Sequence, residues 1–598
     1  MAARDTDIPD ALLVVELERL AASRAFRRSP GQLRLLQYLV EQARAGRGQR
    51  LKESVLAVEA FGRDASRFDS GRDTSVRVTV RRLRQRLARY YAGEGAWAAV
   101  EIVLPVGTYE PILHRRPQNG GAKLPSIAVL PLLNFTGNPA LEAFCDGVSE
   151  EITDALARLP GVKVVARTSA FRFRGTLSDV RTIGRKLGVA TLLEGSVQLA
   201  ADGALKVVVQ WVRAADGYHA WSCAIEARER EAMPAFLERV AREVIAGLQR
   251  RLLENGPLGT LPSSGALARR SSSGEAQRLY DDGRYLLRLE TVEGYRRAVD
   301  ALRRATVADP DFAVAHCALG RALVNLLGVT AAPADGLLTG ARRALGRSLE
   351  LDADLGEAHA LSGFIACAFD RDWKRAEPAH LRGIRCAPSL PYAHSSYGWG
   401  LMMNGRFAEA DAEFRFAREL DPLDLKLRTH HALVALYAGE DEKAVAELAA
   451  VLQLEPRALI ARALLATAHL WRGDTPQAGR MFGELAQAYP ALTIGEVGLA
   501  QVEAETGHGQ TARRRLARLA RQGRKTHLPP YQVAMVHARL GDTRATLRWL
   551  TRAAAERDMN VVCAPVDRTF AALRSDPRFR RFLEKHGLRP VWASSSPR

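Results

Sequence analysis

Apolar positions follow three different rhythms along the chain, and each predicts a different kind of structure. The first is helical. The runs GQLRLLQYLVEQAR and KESVLAVEAF are amphipathic, and in the stretch 73–91, DTSVRVTVRRLRQRLARYY, residues Val76, Val80, Leu83 and Leu87 form one apolar stripe at i, i+4, i+7 and i+11. Ser29-Pro30 supplies a cap and a first-turn proline. Gly62 predicts a left-handed stop for the second helix, and Asp73 or Thr74 a cap for the third. AVEIVL, a proline–glycine turn and TYEPIL then predict a β-hairpin. The order is helix, helix, basic helix, hairpin, preceded by a helical lead, ALLVVELERLAASRAF.

The second rhythm mixes buried strands with amphipathic helices. LPSIAVLPLLNF reads as a buried strand and FCDGVSEEITDALARL as a helix with acids in its first turn, where the macrodipole favours them. KVVAR, ATLLEGSVQLA and ALKVVVQWVRAADGYHAWSCAIEA read as strands, DVRTIGRKLG and AFLERVAREVIAGLQRRL as helices. Together they predict an α/β domain.

The third rhythm is a strict period of 34 residues. Prolines stand at Pro388, Pro422, Pro456 and Pro490, glycines at Gly405, Gly439, Gly473, Gly507 and Gly541, and alanines at Ala376, Ala410, Ala444, Ala478 and Ala512. Small residues allow two helices to approach, an aromatic fills the space between them, and proline ends the second helix. This is the signature of tetratricopeptide repeats. The best copy runs from Pro391 to Asp424 with Gly398, Ala410, Phe414, Ala417 and Pro422 in place. Units are expected to start near Arg278, Ala313, Glu357, Pro391, Leu425, Leu459, Thr493 and His527, the second stretched by the insertion GVTAAPADG. DPRFRRFLEKHGL is expected to cap the stack, because an end unit would otherwise expose its apolar face.

Two polar, breaker-rich stretches punctuate the sequence. The expected organisation is therefore a head, 1–113; a linker, 114–125; an α/β domain, 126–255; a second linker, 256–275; and an all-α repeat solenoid with its capping helix, 276–590. The fold class is multidomain, α and α/β.

Composition changes this picture little. The chain has 598 residues and a net charge of +19, but only 10 of its 86 basic residues are lysines, so arginine dominates everywhere and local clustering carries more weight than the total. The third helix, from Arg77 to Arg89, is such a cluster: no acid occurs from Thr74 to Gly93, whereas a helix stabilised in water usually interleaves both signs. The six cysteines show no metal or disulfide spacing, which predicts small buried residues in a reducing, cytoplasmic setting. No stretch of 18 apolar residues predicts a transmembrane helix, and no secretory signal is evident at the N-terminus. Asp146, Ser149, Glu150 and Glu151 lie close together and His219 sits in a turn, but none has a spacing that defines a catalytic site, and phosphate-loop, GxSxG and HExxH motifs are absent. The expectation is a protein that is not an enzyme and needs no cofactor or metal.

Two family resemblances sharpen these readings. VRVTVRRLRQRL followed by IVLPVGTYEPI resembles the winged helix-turn-helix effector domains of OmpR/PhoB-type response regulators and CadC-type regulators. The resemblance implies a third helix in the major groove of double-stranded DNA. Carried over, Arg77, Thr79, Arg81, Arg82 and Gln85 would face DNA, and Arg84 and Arg86 would reach phosphates. The basic residue common beside the wing glycine is replaced by Val106, and the four-stranded sheet that precedes the helices in response regulators is absent. The middle segment resembles the TolB amino-terminal-like domain, found in bacterial proteins between a winged helix or a cyclase domain and tetratricopeptide repeats; SIAVLPLLNFTGNPALEAFCDGVSEEI, VVARTSAFRFRG, LLEGSVQ and DGYHAWS carry it. No segment resembles a cyclase catalytic domain. The function expected is transcription regulation by a bacterial DNA-binding protein whose repeats bind a protein or peptide on their concave face, with paired half-sites if the head forms a homodimer. The rival is an interaction scaffold in which the winged helix is a protein-binding adaptor without a DNA role.

Overall fold

The computed structural model describes residues 29–61, 73–92, 100–115, 125–255, 271–329, 334–522 and 528–591, apart from positions 160, 177, 230 and 272, together with nine scattered positions between 13 and 27. Gly62, the linker residues 116–124 and 256–270, most of the helical lead, most of the insertion near 330 and the expected unit start at His527 lie outside the described residues. The chain separates into two compact units, one of residues 1–124 with 246–261, the other of residues 125–245 with 262–598.

The head follows the predicted order. Helices α1 (Pro30–Arg44), α2 (Glu53–Glu59) and α3 (Ser75–Ala92) are followed by strands β1 (Val100–Val103) and β2 (Ile112–Arg115), which pair antiparallel with Val100 opposite Arg115 and Val103 opposite Ile112. The Asp73 carboxylate accepts the Ser75 amide at 2.9 Å, which starts α3. The apolar stripe of α3 is wholly inside: Val76, Val80, Leu83 and Leu87 pack with Leu36, Leu39, Leu56 and Ile102. Leu13, Leu20 and Phe26 of the lead join the same core.

The α/β domain has a sheet in the order β5–β3–β6–β7–β8. Its strands are β3 (Ser126–Val129), β4 (Leu133–Asn134), β5 (Lys163–Val164), β6 (Thr191–Leu199), β7 (Leu205–Arg213) and β8 (His219–Glu226), with β4 pairing the far end of β6. β3 runs parallel to β5 and β6, and β6, β7 and β8 form an antiparallel meander. Between the strands lie α4 (Glu142–Ala157), the short turn α5 (Arg167–Ala170) and α6 (Val180–Leu187); α7 (Met233–Asn255) follows β8. Gly195 in β6 is required by close approach, since a Cβ there would meet the Val208 carbonyl oxygen at 2.1 Å.

The repeat region comprises eight helical hairpins among the described residues. They pair Gly274–Arg288 with Val292–Ala308, Ala313–Val329 with Ala334–Leu351, Gly356–Ile365 with Trp373–Cys386, Pro391–Met403 with Phe407–Leu420, Leu425–Ala438 with Asp441–Leu454, Leu459–Trp471 with Thr475–Ala488, Ile494–Glu505 with Gly509–Gln522, and Pro530–Arg539 with Thr543–Ala555. The first begins four residues before the predicted Arg278 because Ser273 caps it, accepting from the Ala276 amide at 3.2 Å. The periodic residues now have visible jobs. The five glycines from Gly405 to Gly541 turn the chain between the two helices of a hairpin with φ between 69° and 85°. The prolines follow the last turn of each second helix, and the alanines are completely buried between helices. Phe414 is fully buried over Gly398, where a Cβ would come 2.9 Å from its ring. This is a tetratricopeptide-type helical solenoid.

Past the eighth hairpin come two short 3-10 turns, Met559–Cys563 and Arg568–Leu573, and the closing helix Pro577–Lys585. Among the described residues no helix is long and apolar enough to cross a membrane.

Candidate functional site

The outer side of α3 is the surface the sequence assigns to DNA. Arg77, Arg81, Arg82 and Gln85 are exposed there, together with Arg89. Arg77 pairs with Glu53 of α2 at 2.9 Å, so the face is acid-free only within its own helix. Thr79 is half-buried and donates to the Ser75 carbonyl at 2.7 Å, which engages its hydroxyl within the helix.

Arg84 and Arg86 have other partners than phosphate. The Arg84 guanidinium donates to the carbonyls of Leu104 at 2.8 Å, Pro105 at 2.8 Å and Thr108 at 2.7 Å, clasping the base of the hairpin turn to α3. Arg86 donates to the Ala25 carbonyl and lies 5.9 Å from the Phe26 ring centre, tying the lead to the same helix. Both are half-buried, because backbone carbonyls with no strand partner need donors and an arginine fork supplies several at once. Where the resemblance implies phosphate contacts, the donors of Arg84 and Arg86 here serve the head's own architecture. Val106 stands at the hairpin tip, 91% exposed, beside Gly107.

A second surface carries no mark in the sequence: the α/β domain is joined to the repeats by a polar seam. Ser389, in the loop after the third hairpin, accepts the Val164 amide at 3.1 Å and donates to the Val162 carbonyl at 2.9 Å. The Ala166 amide donates to the Leu420 carbonyl at 2.7 Å. Asp421 ends the fourth hairpin and accepts hydroxyl hydrogen bonds from Thr168 and Ser169, while Ser169 in turn accepts the Leu423 amide at 2.9 Å. Burial lifts the Asp421 carboxyl to about 6, with the two hydroxyl donors opposing the rise. Lys163 reaches Glu419 at 3.3 Å. Leu423 adds an apolar contact to the cluster of Val165, Ile183 and Leu187.

The acids of α4 take part in this joint. Glu150 pairs with Arg284 of the first hairpin and with Arg167 at 3.3 Å, and Asp146 pairs with Arg174. Ser149 is buried, accepting the Leu132 amide and donating to the Cys145 carbonyl, both at 2.9 Å, and Glu151 is also buried. His219 lies exposed at the start of β8. These residues are not brought together with His219 as a reactive group. Around Arg284, the first helices of the early hairpins present half-buried Tyr280, Arg321, Glu357 and Tyr392; Arg321 pairs with Glu357 at 2.7 Å and stands 4.7 Å from the Tyr392 ring centre. Asp154, its side chain exposed on α4, lies beside this lining, its carboxyl raised above the ordinary carboxylate range by the closely packed protein around it and by Glu150.

The opposite ends of those first helices are covered by the C-terminal strap. Met559 packs with the core of the second and third hairpins. Arg568 pairs with Asp441 and stands 5.2 Å from the Trp471 ring centre; Asp567 accepts the Tyr531 hydroxyl at 2.9 Å. Gly587 approaches the Arg371 carbonyl and Val591 approaches Gly405. The closing helix packs on the last hairpin, and the segments on either side of it together reach hairpins two to six. The six cysteines are free, four of them buried.

No protein-family model matches the chain. Over 296 residues, 48% of its length, it is 29% identical to "Putative adenylate cyclase 3" of Rhizobium meliloti (strain 1021), and it spans 42% of that curated relative. Among solved structures it is similar to a tetratricopeptide-repeat protein of Thermus thermophilus, at 20% identity and a TM-score of 0.29 over 33% of this chain and 99% of that one. PilW, a type IV pilus biogenesis factor, is similar at 15% identity and a TM-score of 0.32 over 38% of this chain and 100% of its own.

Proposed function

We propose that this protein is a repeat-based interaction scaffold that holds an α/β domain of its own and binds a protein or peptide partner on the first-helix, concave side of the solenoid. The observation that carries this reading is the lining of Tyr280, Arg284, Arg321, Glu357 and Tyr392, half-buried and both aromatic and charged, between the seam at one end of the first helices and the strap at the other. Aromatic and arginine side chains of this kind dominate binding energy at protein interfaces. The test is cross-linking of the full chain in cells followed by mass spectrometry. A partner peptide should map to the first helices and be lost with Arg321→Ala and Tyr392→Ala together. A partner that persists unchanged in that variant would refute the assignment of the surface.

A second reading keeps the head as a winged-helix DNA-binding domain and the chain as a regulator. It is supported by the exposed row Arg77, Arg81, Arg82 and Gln85 on the third of three helices followed by a hairpin. Arginine in a major groove can read guanine bidentately. Fluorescence anisotropy with duplex DNA decides it: binding lost with Arg81→Ala and Arg82→Ala supports the regulator, and unchanged binding removes the head from DNA contact. We read the chain as non-enzymatic. The cyclase in the Rhizobium protein's name belongs to a chain of which this one spans 42%, and it is not carried over.

A further inference from the structure

Most of the net positive charge of this protein lies at the C-terminal end of the repeats in sequence, outside the head. Residues 509–591 hold 19 Lys and Arg against 6 Asp and Glu, a net +13 out of +19 for the whole chain. Within the repeats some of these cations are neutralised: Arg515 and Arg518 pair with Glu496, Arg539 with Glu505 and Arg552 with Glu556. Others are not. Arg513 on the second helix of hairpin seven, Arg544 and Arg548 on the second helix of hairpin eight, and Arg581 and Lys585 on the closing helix are exposed, and no carboxylate among the described residues pairs with them.

These residues lie on neighbouring elements. Arg513 and Arg548 both bear on His537, whose pKa is lowered by burial, opposed by the nearby Asp542 carboxylate and lowered further by the two arginine charges. Between hairpin eight and the closing helix runs a groove of about 320 Å³ with Leu547 and Thr551 on one wall and Arg578, Arg581, Phe582, Lys585 and His586 on the other. Packed helices sit about 8–10 Å apart, so three adjacent elements present cations over a span wider than any single small anion.

We propose that this face, Arg513, Arg544, Arg548, Arg581 and Lys585 with the groove beside them, binds the phosphodiester backbone of nucleic acid without regard to sequence. What distinguishes this ligand from other anionic partners is the chemistry the face lacks. Among the described residues beyond Leu492 no large hydrophobic side chain is exposed: of the apolar groups lining the groove, Phe582 is buried and Leu547 half-buried. A protein interface needs an apolar or aromatic centre, and stable seating on a lipid surface needs apolar side chains to insert. Backbone phosphates need only cations, which release condensed counterions on binding. Guanidinium forks suit phosphate oxygens because two N–H donors meet them in parallel. The inference does not depend on the head.

The experiment uses the full chain carrying Arg81→Ala and Arg82→Ala, so that the head is held constant, with two unrelated duplexes of about 30 base pairs in a salt series. Changing Arg513, Arg548, Arg581 and Lys585 to Gln together should weaken binding to both duplexes at least about tenfold at low salt, and make the log–log salt slope shallower by about 3 to 4, at about 0.9 per phosphate contact. Arg513→Lys, Arg548→Lys and Arg581→Lys together should keep most of the affinity. If the fourfold variant loses its helical circular dichroism, Arg548→Gln and Arg581→Gln singly carry the test, each expected to weaken binding measurably. Unchanged binding in the Gln variants overturns the proposal. So does retention of polyglutamate, or of phosphatidylserine vesicles, by a chain that does not bind duplex DNA.

Discussion

Ser169 and Asp421, 252 residues apart in sequence, share a hydrogen bond in which the serine hydroxyl donates to the carboxylate while accepting the Leu423 amide. One side chain of the α/β domain thereby satisfies both a side chain and a backbone group at the end of the fourth hairpin. Asp421→Ala would leave two hydroxyls of the seam without their acceptor, at a cost of about 1–3 kcal/mol. Urea denaturation of the full chain should show an early loss of the seam, and Ser389→Ala should act in the same direction.

The same aspartate makes the seam pH-dependent. Its folded pKa of about 6 is raised above the ordinary carboxylate value by burial. The folded protein therefore binds more protons than the unfolded chain between about pH 4 and 6, and this group's contribution improves as pH falls through that window. Asp421→Asn should abolish this component. Comparing urea midpoints of the two proteins at pH 7 and pH 5, the wild type should gain relative to the variant on acidification.

His380 has the opposite sign. It is completely buried in the third hairpin, where Gly363 leaves room for its ring, and burial lowers its pKa to about 3. The unfolded chain takes up a proton near the ordinary value of 6.5 that the folded one refuses, so stability falls with acidification from about pH 6.5 toward 3, by about 1.4 kcal/mol per pH unit at most. His380→Phe installs the residue that the fourth hairpin carries at the same place. It should move the acid-unfolding midpoint of the repeats to lower pH, read by far-UV circular dichroism.

Gly398 and Phe414 should behave as a matched pair. Gly398→Ala brings a methyl to 2.9 Å from the ring, and overpacking of this kind costs about 1–3 kcal/mol. In the fifth hairpin the corresponding residues are Ala432 and Leu448, both buried. The double variant Gly398→Ala, Phe414→Leu should therefore recover part of the loss, and a double-mutant cycle should report a favourable coupling.

In the head, Arg84→Ala should lower stability by about 2 kcal/mol, since three carbonyls of the hairpin turn lose a charged donor. Arg82→Ala, exposed, should stay within about 0.5 kcal/mol of the wild type. Thermal melts of the full chain, with proteolysis of the hairpin as a local readout, separate the two.

The repeat architecture was legible because its determinants are local and recur. A glycine that must turn left-handed, an alanine that must vanish between helices and a proline that must follow them leave marks every 34 residues. The head's three helices and hairpin were legible for a related reason: the stripe from Val76 to Leu87 and the turn at Gly107 are short-range patterns. The role of Arg84 was not, because a guanidinium seeking backbone carbonyls and one seeking phosphates look alike in sequence. The seam was invisible for want of any local signature, Ser389 and Asp421 each sitting in an ordinary loop between repeats. The strap left one readable trace. Asp558, Asp567 and Asp576 recur every nine residues, and each accepts the amide two residues on, opening the next turn. The 3-10 turns between them are too short for hydrophobic periodicity to reveal.

The strap also bears on how such a molecule comes apart. A stack of repeats in which each unit touches only its neighbours behaves like a row of tiles and can fray from either end. Here residues 559–591 fasten the end of the row to hairpins two through six. Fraying the last tile first means unlatching the middle, so the repeats are expected to melt as one body, and a chain cut before Met559 to melt in stages.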